Sequence, residues 1–286
     1  MLKYIKVLIF SVIVLSFAAC SKSDVTDNSK PTDPAADYSK MASYVLSGTS
    51  IRVDVYRQYD SLFVGYNPLY FKLTDTASGQ LVNNASLMLN PTMNMGAMMH
   101  GCPIDQPEYI DSLRLYKAGI SFLMSSDAAM DMNESMDMSV GWTLPTNISL
   151  NGNTYKDTLP VTVKDMGVGK EFIQSTLGSD GNTYYLVLVH PWQKEQAVGM
   201  NDLEVAVYRK DGMFDFPAVD GLTLSFVPTM PSMGHSSPNN IAPVSIGNGH
   251  YKGKVNFTMT GDWQLDFTIK NGSNTLANGV DIDLFF

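Results

Sequence analysis

With 286 residues, 44% of them apolar, the chain has length for more than one independently packed core. Its 28 acidic residues outnumber 19 basic ones and leave a net charge of −9. That balance excludes nucleic acid as a partner, since phosphate binding needs a basic surface, and excludes polybasic docking on anionic lipid.

The chain opens with Lys3 and Lys6 ahead of an apolar run from Val7 to Phe17. The run is too short to span a bilayer and has the layout of a secretory signal. Phe17-Ala18-Ala19-Cys20 resembles the bacterial lipobox, with Phe17 where Leu is usual. The resemblance implies that residues 1–19 are removed and that Cys20 carries a lipid. A plain signal cleaved after Ala19 is the alternative. The protein is therefore expected in the cell envelope, held to the outer membrane by lipid alone, its body facing the periplasm or the exterior. Residues 20–42 are expected to be a flexible tether, because Ser, Asp, Pro, Thr and Lys dominate from Ser21 to about Lys40.

Beyond the tether the residues alternate in short runs. Ile51–Tyr56, Leu222–Phe226, Tyr251–Met259 and Leu265–Ile269 read as strands. Turn chemistry separates them, as in Ser179-Asp-Gly-Asn182, Lys210-Asp-Gly212 and Lys270-Asn-Gly272. The order of the runs repeats. Val64-Gly-Tyr-Asn-Pro-Leu aligns with Val198-Gly-Met-Asn-Asp-Leu, and Pro91-Thr-Met93 with Pro228-Thr-Met230. Tyr116–Met124 aligns with Tyr251–Met259, and Trp142 with Trp263. The spacing between copies shortens after Met124, so copy one carries an insertion, the Met-rich stretch between Ser125 and Ser139. The predicted fold is all-β: two tandem immunoglobulin-like antiparallel sandwiches, at 43–166 and 170–286. The link falls at Asp165–Lys170, and the two tryptophans plug the cores.

Three clusters carry the chemistry. The first is Met93, Met95, Met98, Met99, His100 and Cys102. The second is Met130, Met132, Met136 and Met138, alternating with acidic and amide residues. The third is Met230, Met233 and His235. Thioethers mixed with imidazole select Cu(I) over hard cations, and thioethers bind without losing a proton. Copper is therefore the expected cofactor. The competing reading is that methionine fills gaps in a core. It suits Met124 and Met259, in phase with Phe122 and Phe257, and the isolated Met88, Met166, Met200 and Met213. The first cluster is expected in loop, so its loss is expected to cost little stability. Cys102, the remaining thiol once Cys20 is lipidated, is either a ligand or a small buried hydrophobe. Strand 116–124 separates the first two clusters by roughly 30 Å at ~3.3 Å per residue. Unless 93–113 doubles back, they form two separate sites at opposite ends. His190 and His250 are expected to be solvated or satisfied. No Gly-x-Ser-x-Gly, His-Glu-x-x-His or phosphate loop occurs, and the chain is expected not to be an enzyme.

Met230-Pro-Ser-Met-Gly-His235, Tyr251-Lys-Gly-Lys-Val-Asn-Phe-Thr-Met259 and Gly261-Asp-Trp263 together resemble the YtkA-like and FixH-like domains of exported bacterial proteins. Copy one departs, with Gly119 shifted and Trp142 displaced by the insertion. The resemblance implies a periplasmic immunoglobulin-like module and a copper-handling or oxidase-assembly protein as partner. Two other readings stay open. One is an envelope interaction module whose Met-rich loops dock a protein without metal. The other, recognition of a surface polysaccharide, requires exposed aromatics along a groove.

Overall fold

The computed structural model describes residues 33–127 and 140–286. The first half contributes β1 (Ser39–Val45), β2 (Ile51–Arg57), β3 (Leu62–Phe63), β4 (Gly65–Asp75), β5 (Ser86–Leu89), β6 (Thr92–Asn94), β7 (Met99–His100), β8 (Ile104–Ile110), β9 (Leu115–Phe122), β10 (Gly141–Leu150), β11 (Asn153–Val161) and β12 (Val163–Lys164). The second half contributes β13 (Ile173–Leu177), β14 (Thr183–His190), β15 (Gly199–Lys210), β16 (Thr223–Met230), β17 (His235–Ser236), β18 (Ile241–Gly247), β19 (His250–Phe257), β20 (Asp262–Asn271) and β21 (Asn274–Phe285).

These strands form two sandwiches of immunoglobulin-like type. In the first, a sheet ordered β1-β2-β4-β9-β8 is paired with one ordered β11-β10-β6-β7, and β5 also joins β10. In the second, the orders are β13-β14-β15-β19-β18 and β17-β16-β20-β21. The two orders are equivalent, with β16 of the second sandwich in the place that β5 and β6 share in the first. The period-2 alternation has its usual cause: on β10 and β20, every second side chain turns inward. Val53, Phe71, Phe122 and Trp142 fill the first core. Leu186, Tyr251, Phe257 and Trp263 fill the second.

The repeat extends to single hydrogen bonds. The Asn67 side chain donates to the Phe63 and Gly65 carbonyls and accepts from the Phe63 N–H. Asn201 does the same at Ala197 and Gly199. The Tyr116 hydroxyl accepts the Ala85 N–H, and Tyr251 accepts that of Leu222.

Two expectations need correction. The stretch read as tether is structured from residue 33 onward: Ala35 is buried, Tyr38 stacks on Tyr70 at 3.9 Å, and β1 begins at Ser39. A strand pairs through its backbone, so the polar side chains that suggested a tether do not prevent one. The second correction concerns the ends of the first sandwich. Segment 93–113 does double back. β8 runs antiparallel to β9, pairing Ile104 with Ile120, and the Ser121 N–H reaches the Pro103 carbonyl at 3.0 Å. β6 lies against the start of β10, with Asn94 opposite Gly141. The described flanks of the insertion therefore meet the first cluster at one end.

The sandwiches are joined as well as linked. β12 pairs in parallel with β3 inside the first half, and from there Asp165–Lys170 runs to β13. The end of the first sandwich rests on the outer face of the second, where Tyr66 packs with Val187, Val189, Ala206 and Tyr208.

Candidate metal sites on two equivalent hairpins

The first cluster folds as a hairpin. The Met95 N–H reaches the Met98 carbonyl at 2.9 Å, with Gly96 at φ 81° in the turn. Register places His100 directly opposite Met93, and Met99 opposite Asn94. Residues directly opposite share a face, about 5 Å apart. Met93 and His100 therefore lie on the inner face, where Met95 also packs against the core. Met98 and Met99 are about half exposed at the tip and outer face.

On its other side Met93 pairs with Trp142. Trp142, Met93 and His100 thus stand in one row across three strands. The imidazole meets the indole edge-on, at 5.5 Å between centroids and 89° between planes. The Nδ1 of His100 lies 2.7 Å from its neighbour's carbonyl, Gly101 O. That bond puts the proton on Nδ1 and leaves the Nε2 lone pair for a ligand.

The third cluster repeats this arrangement. Met230 is opposite His235. Thr229 pairs with Gln264, which brings Met230 next to Trp263 in register. His235 and Trp263 meet at 5.8 Å and 88°. Both indole N–H groups bond the same place in their copies, the carbonyls of Met124 and Met259, each at 2.9 Å. Met233 is 60% exposed in the turn.

Not every candidate fits the role expected of it. Met93 and Met230 lie on strands rather than in loop, and both are buried. Cys102 is also buried, and burial pushes its thiol well above the usual range. An apolar setting disfavours the thiolate that binds metal, so Cys102 acts as the small core hydrophobe. Met130, Met132, Met136, Met138 and Cys20 lie outside the described residues. Met259, read as core, is 36% exposed. Among the described residues no group of three or more His, Cys, Asp or Glu converges to hold a metal ion. The donors brought together are thioether and imidazole. A cleft of about 640 Å³ beside His190, Glu195, Asp202 and Lys252 lies along β15, and none of the clustered methionines lines it.

Sequence reasoning missed a polar cluster between the sandwiches. Asp105 accepts hydrogen bonds from the Tyr66 hydroxyl at 2.9 Å and the Tyr208 hydroxyl at 2.8 Å, and its Oδ2 lies 3.0 Å from His250 Nε2. The other ring nitrogen of His250 faces Glu204 at 2.7 Å, and Lys252 completes the chain at 3.2 Å. Burial disfavours the charged ring, but Asp105 and Glu204 outweigh it and push His250 up to about 9. His250 is thus a satisfied histidine. Its partner Asp105 is 145 residues away, and no local pattern announces such a pair.

Comparison with known proteins bears on the second sandwich. Residues 179–268 match the YtkA-like family model. No curated protein matches the chain. The chain is similar in structure to FdeC, an adhesin of Escherichia coli, at 17% identity over 85% of this chain and 66% of that one, with a TM-score of 0.25. It is similar to domains 5-6 of the S-layer protein SbsC, at 12% identity over 84% of this chain and 98% of that one, TM-score 0.27. The Yersinia pseudotuberculosis protein InvD is similar at 14% identity over 79% and 54%, TM-score 0.24.

Proposed function

We infer that this chain, whose second sandwich is a YtkA-like domain, is a lipid-anchored copper-binding protein of the cell envelope and not an enzyme. It holds Cu(I) at the Met–His hairpins, for sequestration, delivery or sensing. One observation carries the reading: the same Trp–Met–His row recurs at the same end of both sandwiches. A half-buried imidazole set against a buried thioether adds little to a core, since an apolar side chain fills that space without a polar atom to satisfy. As a donor pair it suits a soft monovalent ion. The exposed Met98 and Met99 of the first hairpin, and Met233 of the second, offer further thioethers at the surface. Copper delivery implies a copper-handling or oxidase-assembly partner. Lipid at Cys20 supplies the membrane link.

The test is an anaerobic competition titration of the full chain with Cu(I). Burial of Met93 decides the design. Met93→Ala truncates a core residue, at about 2–5 kcal/mol, so loss of binding would be confounded with unfolding. Leucine keeps the volume and costs less than about 1.5 kcal/mol. Replacing Met93, Met95, Met98 and Met99 by Leu, with His100→Gln, is expected to remove one copper equivalent while the circular dichroism is unchanged. Parent-like binding by that variant would place the site elsewhere. A folded parent that takes up no Cu(I) would leave the half-exposed hairpin tips as a protein-docking surface.

A further inference from the structure

We propose that Trp142 and Trp263 are the selectivity elements of the two hairpin sites, each standing as a π wall against the soft monovalent ion held by its Met–His pair. This rests on the copper reading above and adds the group that discriminates between metals. Three features support it. Each indole has its sole polar atom tied to a backbone carbonyl, Met124 or Met259. The ring orientation is thereby fixed, and the rest of the ring is a π surface. Each imidazole then stands perpendicular to that ring, at 5.5 Å in one copy and 5.8 Å in the other. In the first copy the bond from His100 Nδ1 to Gly101 leaves Nε2 as the donor. Core filling explains why the indoles are buried. It does not explain why a polar ring meets each of them in both copies.

The chemistry follows from coordination. Cu(I) is content with a few soft ligands, and an aromatic face attracts the residual positive charge. Zn(II) takes four donors, commonly including thiolate or carboxylate. An indole wall supplies neither and displaces the water that would complete the shell. The wall therefore favours Cu(I), or its redox-inert analogue Ag(I), over divalent ions.

The experiment is anaerobic titration of the full chain with Cu(I), Ag(I) and Zn(II), following tryptophan emission alongside an independent competition assay. Trp192 is an internal reference, stacked on Tyr59 and met edge to face by Phe172 instead of by a histidine. Cu(I) and Ag(I) are expected to quench emission in two steps, and Zn(II) to leave it unchanged. Trp142→Phe should remove one step and Trp263→Phe the other, each lowering Cu(I) affinity at its site roughly tenfold. Should a Trp variant fail to fold, His100→Gln and His235→Gln keep both rings and are expected to remove one step each. Cu(I) binding in the competition assay with unaltered emission overturns the π wall and leaves the copper reading standing. Quenching by Zn(II) as strong as by Cu(I) overturns the selectivity. Absence of Cu(I) binding overturns both readings together.

Discussion

Gly119 shows how one residue can depart from a repeat for a reason found in the other half of the molecule. Copy two has its glycine at 253, where a Cβ would meet the Ile241 carbonyl of the neighbouring strand at 2.3 Å. Copy one has Ala118 there in the alignment and moves the glycine by one place. A Cβ at 119 would lie 2.1 Å from the Tyr66 hydroxyl, because the phenol crosses that position to reach Asp105, the register partner of Gly119. Gly119→Ala must therefore displace a buried Tyr66 from the interface. Overpacking of this kind costs about 1–3 kcal/mol, and the lost hydrogen bond adds to it. Thermal unfolding is expected to show a clear drop in Tm for Gly119→Ala. The control is Gly152→Ala: nothing lies within 4 Å of a Cβ there, so its cost is confined to the strain of φ 81°. Equal melting of the Gly119 variant and the parent would show that Tyr66 does not need that path.

At the scale of elements, the two copies differ most between the end of the β9 or β19 strand and the tryptophan. Copy two needs three residues between Met259 and Trp263 to close the indole hydrogen bond, and copy one closes the same 2.9 Å bond across its insertion. The bond geometry therefore does not depend on the longer connection. Ser126 should be kept, since its hydroxyl accepts the Val163 N–H at 3.0 Å. Deleting 128–139 and closing the gap with a short Gly-Ser bridge is expected to leave Tm within a few degrees of the parent, as loop length alone changes closure entropy by only about 0.6 kcal/mol per doubling. The same variant reports on metal. The flanks of the insertion, Met124 and Trp142, border the first hairpin, so the deletion is expected to alter Cu(I) uptake there and to spare the hairpin at 230–235. A drop of ten degrees or more would show that the segment supports the fold.

At the scale of the molecule, the sandwiches should unfold as one unit held partly by the Asp105–His250–Glu204 cluster. His250 is raised from an ordinary imidazole value to about 9. Its stabilising contribution is fully present below the unfolded value near 6.5 and fades as pH rises through about 9. The groups facing it from both sandwiches are Asp105, Glu204 and Tyr66, with Tyr208 behind Asp105 and Lys252 behind Glu204. Glu204 acts in the opposite sense. Burial opposes its charge, but His250 and Lys252 hold its carboxyl below the usual range, so its contribution is lost on acidification. Denaturant midpoints should therefore fall on going from neutral pH to pH 10, and His250→Gln should flatten that fall. Asp105→Asn removes the shared acceptor. Its expected cost is about 2–4 kcal/mol, less than for a fully buried pair because a quarter of the Asp105 side chain is exposed. Two separate calorimetric transitions in that variant would show the sandwiches uncoupled. Unchanged pH dependence in His250→Gln would remove the cluster from the account.

Composition and local pattern were enough for the all-β class, for two tandem copies and for several of the strands that build them, because a period-2 alternation and Gly-Asn-Asp turns act over a few residues. Met93, His100, Met230 and His235 were legible as candidate donors by residue type. Their pairing was not. Whether Met93 stands opposite His100 depends on the register of a hairpin, and whether Trp142 lies behind it depends on a strand some fifty positions later. The same limit hid the return of 93–113, the burial of Cys102 and the packing of Ala35 and Tyr38. The interface histidine was hidden most completely. Charge pairing between Asp105 and His250 leaves no mark on either local sequence, and only the docking of one sandwich on the other brings them within a hydrogen bond.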